Sequence, residues 1–151
     1  MCKIIRTLND IPKDEMDLNN IDWNVLAVCY KLSEEFMDKY QNELDWDIIS
    51  YCQQLSEEFI EKHINKVFWS GISSTQQLSE EFIEKYSDKV NWGWISLKQN
   101  LSEEFIEKHS DKVYWFGIFH SQKLSKNFKN KYWKEYYNVI DWEENYENLY
   151  Y

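Results

Sequence analysis

The sequence predicts an all-α repeat solenoid of about five αα units with divergent N- and C-terminal caps, and three observations carry that reading. Leu-Ser-Glu-Glu-Phe begins at residues 32, 55, 78 and 101, and a decayed copy, Leu-Ser-Lys-Asn-Phe, begins at 124, so every interval is 23 residues. A strict period of this length marks stacked supersecondary units that bury their apolar faces on their neighbours. Gly (3) and Pro (1) are scarce, which suits helices joined by short turns. Apolar residues make up 43% of 151, enough for a core in a chain of single-domain length. The expected organisation is one repeat domain over 1–151. It has an N-terminal cap and half repeat at 1–31, repeats at 32–54, 55–77, 78–100 and 101–123, and a divergent last repeat and cap at 124–151.

Numbering each unit from its Leu, position 2 is Ser in all five copies: Ser33, Ser56, Ser79, Ser102 and Ser125. Ser followed by two acids suits a helix N-cap with glutamates facing the positive end of the helix dipole. Leu at position 1 and Ile at position 6 then form a hydrophobic staple. Glu at position 4 precedes Lys at position 8 by one turn (Glu35/Lys39, Glu58/Lys62, Glu81/Lys85, Glu104/Lys108), an expected ion pair within the helix. The first helix of the unit is expected over positions 3–9.

The second helix is expected over about positions 12–22. Position 15 is always Trp (Trp23, Trp46, Trp69, Trp92, Trp115) and position 18 is Leu26 or Ile49, Ile72, Ile95 and Ile118. With the mostly Gln position 22 they share one helical face. Two N-cap positions compete for its start: position 11 (Asn42, Asn65, Asp88, Asp111) and position 14 (Asp22, Asp45, Asn91). The Gln is expected to bond the following turn. Helices this short need stacking to persist.

Both ends depart from the pattern. The N-terminal segment matches only the second half of a unit, and Pro12 suits a helix start. In the last unit Asp141 and Trp142 fall four residues later than the period predicts, which one extra helical turn explains. The tail is rich in Tyr, with Tyr132, Tyr136, Tyr137, Tyr146, Tyr150 and Tyr151.

Net charge is −10 with an isoelectric point of about 4.8, which disfavours direct binding to nucleic acid or to an anionic membrane. No stretch reaches the roughly 20 apolar residues of a membrane span, and Met-Cys-Lys-Ile-Ile-Arg lacks the apolar core of a signal peptide. Cys29 and Cys52 occupy one column of adjacent units, expected roughly 10 Å apart, beyond disulfide reach. With Cys2 they read as free thiols in a reducing compartment, so the expected location is cytoplasmic, in the host cell if the protein is viral.

The units resemble a repeat family abundant among predicted proteins of giant DNA viruses and some phages. Its pattern is similar to Leu-Ser-Glu-x-Phe-Ile-Glu-Lys-His-x-Asp-Lys-Val-Asp-Trp-x-x-Ile-Ser-x-x-Gln, and residues 101–122 read LSEEFIEKHSDKVYWFGIFHSQ, departing at Tyr114 and Phe119. The likeness covers 21–123 well and 124–142 loosely. It implies a viral or phage origin and a helical array. It carries over no functional residue, since the pattern consists of structural positions.

No residue pattern points to catalysis, a cofactor or a metal. His63 and His109 alternate with Tyr40, Tyr86 and Tyr132 at position 9 and read as packing rings, while His120 is unique but lacks a partner pattern. The binding candidates are aromatics off the consensus, Phe68, Trp94, Tyr114, Phe116 and Phe119, because variation on a fixed scaffold gives repeat arrays their individual surfaces. The competing reading is extra packing between helices, opposite Gly71, Gly93 and Gly117. A second set is acidic: Glu34, Glu35, Asp45 and Asp47 lie in a repeat of net charge −5, dense enough to imitate nucleic acid. The expected function is a non-catalytic module binding a protein partner, a host or bacterial defence component given the resemblance. The alternatives are an acidic mimic that blocks a nucleic-acid-binding protein, and a self-assembling structural protein associating through the Tyr-rich C-terminal cap.

Overall fold

The structure, a computed structural model, describes residues 4–12 and 21–147, with side chains through residue 137. Among these residues are ten α-helices: α1 (Trp23–Cys29), α2 (Glu34–Lys39), α3 (Trp46–Cys52), α4 (Glu57–Lys62), α5 (Trp69–Thr75), α6 (Glu80–Lys85), α7 (Trp92–Lys98), α8 (Glu103–Lys108), α9 (Trp115–Ser121) and α10 (Lys126–Glu147). Strand β1 (Ile4–Ile5) pairs in parallel with β2 (Lys31–Leu32), with Ile4 opposite Lys31 and Ile5 opposite Leu32. The fold is therefore the all-α repeat that the period predicts. Contacts gather in two compact units, Met1–Gln76 and Gln77–Tyr151.

The first helix of each repeat starts where the serine places it. Ser33, Ser56, Ser79, Ser102 and Ser125 accept the backbone N–H three residues on, at 3.1–3.2 Å. The four that follow Ser33, Ser56, Ser79 and Ser102 are six residues long. In the turn after α4 His63 C=O accepts from both Lys66 and Val67 N–H, as His109 C=O does from Lys112 and Val113 after α8. Among the described residues no backbone takes a positive φ, so the turns need no glycine.

The second helix starts at position 15, later than the expected position 12, because position 14 provides the cap. Asp22 accepts from Asn24 and Val25 N–H, Asp45 from Asp47 and Ile48, and Asn91 from Trp94. Position 11 lies in the turn. The buried face is as expected: Ile49, Ile60 and Ile72 in the N-terminal unit, and Ile83, Ile95, Ile106 and Ile118 in the C-terminal unit, have no exposed surface.

The conspicuous polar residues join one repeat to the one before it. Gln76 Oε1 accepts Leu55 N–H at 2.9 Å, while its amide donates to Ser50 C=O (3.2 Å) and Gln53 C=O (2.8 Å). Gln53 repeats this with Leu32, Ala27 and Tyr30, and Gln122 with Leu101, Ser96 and Gln99. The glutamine thus reaches back to the preceding unit, contrary to the expected bond with the following turn, because that is where buried carbonyls lack partners. The ion pairs also run between repeats. Lys62 pairs with Asp38 at 2.8 Å and Lys108 with Glu84 at 3.0 Å, in place of the expected Glu58 and Glu104 on their own helices. Side-by-side first helices put the position 7 acid of one beside the position 8 lysine of the next.

Rings complete the joint. Trp46 lies 6.1 Å from Phe59 and 4.6 Å from His63 of the next repeat, and Trp92 lies 6.2 and 4.9 Å from Phe105 and His109. Both indole N–H groups donate to a carbonyl five residues back. The close approach foreseen at glycines holds at two of three. A Cβ on Gly71 would meet Ser50 Cβ at 3.0 Å, and one on Gly117 would meet Leu97 at 3.1 Å, whereas one on Gly93 would touch only Asn91 of its own repeat.

At the N-terminal end β1 replaces a preceding first helix, and Ile5 C=O accepts the Ser33 N–H (2.9 Å). Thr7 and Asp10 bracket a short 3₁₀ turn, Leu8–Asp10, and Ile11 is buried. The helix start foreseen at Pro12 runs into 13–20 and lies outside the described residues, as do Cys2 and the side chains of Asp141, Trp142, Tyr146, Tyr150 and Tyr151. At the other end the expected two helices with an extra turn are one uninterrupted 22-residue helix, α10. No described helix is long and apolar enough to cross a membrane.

Candidate partner-binding surface

Two of the candidate aromatics occupy position 14, the N-cap of the second helix. Phe68 caps α5 and Tyr114 caps α9, and neither offers a side-chain acceptor to the helix. Asp or Asn does so in the other three copies, a bond worth about 1 kcal/mol. The backbone is held all the same. Ser50 Oγ accepts Phe68 N–H, and Ser96 Oγ accepts Tyr114 N–H, each at 2.9 Å, while each serine donates to Trp46 or Trp92 C=O. The buried position 19 serine is a role that sequence reasoning missed. Its recurrence was visible, but the partner one repeat away was not.

In the N-terminal unit Phe68 is 40% exposed and lies 5.7 Å from the equally open Tyr51. Tyr51 stands at position 20, where other copies carry Val28, Ser74, Leu97 or His120, and that variability was the signal for it. In the C-terminal unit Trp94 is 37% exposed on α7. Tyr114 and Phe116 lie 5.8 Å apart, and Phe116 stacks on His120 at 4.0 Å. Phe119 is different: it stacks on Tyr136 of α10 at 4.5 Å and packs against the core around Ile118 and Phe128. Tyr136 also meets His120 at 5.7 Å, so Phe116, His120, Tyr136 and Phe119 form one run of rings across α9 and α10. The sequence did not single out Trp133, which is more than half exposed on α10, as is Tyr137 of the Tyr-rich tail.

Two of the four acidic candidates, Glu34 and Asp45, have intramolecular duties. Glu34 accepts Ser56 N–H of the next repeat at 2.7 Å, as Glu80 and Glu103 accept those of Ser102 and Ser125. Asp45 caps α3, and Asp47 sits exposed in that helix's first turn. Glu35 lines an open cleft with Arg6 and Lys31. Asp38 holds Lys62 and His63, and the Lys62 ammonium keeps its carboxyl below the usual carboxylate range.

The position 9 histidines are packing rings, as expected, but hydrogen-bonded ones. His63 and His109 are each 5% exposed, with Nε2 at 3.1 Å from Asp38 and 2.6 Å from Glu84. Burial pushes His63 below its ordinary pKa, against the pull of Asp38. His120 is exposed and bonds the Phe116 carbonyl through Nδ1 at 2.8 Å. Among the described residues no three His, Cys, Asp or Glu side chains gather as a metal ion would need, and the cysteines Cys29 and Cys52 are exposed. Compared with protein-family models, curated proteins and solved structures, the chain matches none.

Proposed function

We propose that the protein is a non-catalytic binding module that recognises a protein partner through the off-consensus aromatics of its second helices. One observation carries the reading. At Phe68 and Tyr114 a stabilising helix cap is given up, and an open or half-open ring takes its place. Local rules are broken in this way where a residue serves something other than the fold. Trp94 and Phe116 extend the surface, whereas Phe119 is committed to α10. The resemblance of the repeats to those of giant viruses and phages makes a host or bacterial defence protein the first partner class to test. Nucleic-acid mimicry rests on fewer groups than the sequence offers, since Glu34, Asp38 and Asp45 serve helix caps and repeat joints.

The test is affinity capture from bacterial and eukaryotic lysates at low and at about 0.5 M salt, where surface charge is screened. The reading expects capture that survives high salt and is lost in Trp94→Ala or Phe116→Ala. Capture of nucleic-acid-binding proteins at low salt only, weakened by Glu35→Gln and Asp47→Asn, would point to mimicry instead.

A further inference from the structure

The two units leave complementary faces uncovered. At Gly71 and Gly117, position 17 of a second helix faces the repeat before it, against Ser50 in the one case and against Ser96 and Leu97 in the other. On α1 that position is Val25, 45% exposed, and Val28 one turn on is 59% exposed. Asp22, also exposed, precedes Val25 by three residues, giving an acid-flanked apolar stripe. On α10, Trp133 and Tyr137 stand one turn apart, 53% and 57% exposed with ring centres 6.5 Å apart, and exposed Lys129 lies one turn before Trp133.

The charge around the two stripes is opposite in sign. Residues 123–137, which span the α10 stripe, carry five lysines and one acid, Glu135, whereas Asp22 is the one charged residue of 21–30. Residues 1–76 carry seven basic against fourteen acidic residues, a net −7, and residues 77–151 ten against thirteen, a net −3. Apolar stripe fits aromatic stripe, and lysines fit acids. We propose that the chain associates head to tail, the Lys129–Trp133–Tyr137 face of α10 docking on the Asp22–Val25–Val28 face of α1 of a second copy. Such a contact joins two different surfaces, so each added copy offers both again. The patches are small, so the association is weak and concentration-dependent.

Sedimentation velocity on the full chain tests this with Val28→Glu and Trp133→Glu, both surface changes whose fold is checked by circular dichroism. Wild type is expected to grow in mass with concentration at low salt and less at about 0.5 M salt. Each variant alone is expected to be monomeric. An equimolar mixture regains one sound face of each kind, so it is expected to form a dimer and stop there. A wild type monomeric throughout, variants that associate as wild type does, or a mixture that stays monomeric would overturn the proposal. A wild type that stops at the dimer, with one variant dimeric alone and the other monomeric, would also overturn it and would mean that one face meets its own copy.

Discussion

Gln76 and His63 are where single side chains hold repeats together. Removing Gln76 orphans the Leu55 N–H and the Gln53 carbonyl, both buried. At about 1–3 kcal/mol for each unsatisfied group, Gln76→Ala is expected to cost about 3 kcal/mol in urea unfolding. His63 adds a pH dependence. Its folded pKa is lowered by burial, so the unfolded chain binds the proton more readily. Its effect is absent above the ordinary value of about 6.5, and stability is lost as pH falls from there toward the folded value. Asp38, lowered by Lys62, adds a second loss near and below the ordinary carboxylate range of about 4. His63→Tyr, the residue at position 9 of other repeats, is expected to fold and to flatten the urea midpoint between about pH 5 and 7. The loss attributed to Asp38 should remain. An unchanged slope would refute the His63 assignment. The recurrence of Gln and the exchange of His for Tyr were legible in the sequence. Their partners 21–26 residues away were not, because a period says which residues repeat and not which way each reaches.

Element boundaries follow from caps. The serine cap of the first helix was legible because Ser, two acids and a staple agree. The start of the second was not, since Asn or Asp stands at both positions 11 and 14, and only the turn closed on the position 9 carbonyl excludes position 11. The last repeat also hid its form. Its displaced Asp141 and Trp142 suggest an added turn, whereas α10 runs unbroken through the place where other repeats turn. Proline inside a helix removes a hydrogen bond and clashes, costing about 3 kcal/mol or more. Lys134→Pro is therefore expected to lower the unfolding midpoint and the helical circular dichroism together. A variant as stable as wild type would place a turn there.

At the scale of the molecule, the fold was legible because one motif recurs at one interval. The candidate surface was legible only as departures from that motif. Of the five aromatics singled out, Phe68, Trp94, Tyr114 and Phe116 keep open or half-open rings on second helices or their caps, and Phe119 is held by α10. The central claim is that Phe68 and Tyr114 serve a partner rather than the fold. The double variant Phe68→Asp, Tyr114→Asn tests it most directly, by capture and urea unfolding on the same preparation. Each change restores a cap worth about 1 kcal/mol and gives up only part of a ring's burial. The account predicts stability within about 1 kcal/mol of wild type and loss of salt-resistant capture. Capture unchanged, or a stability loss of the ~3–5 kcal/mol seen when a core aromatic is truncated, would contradict it.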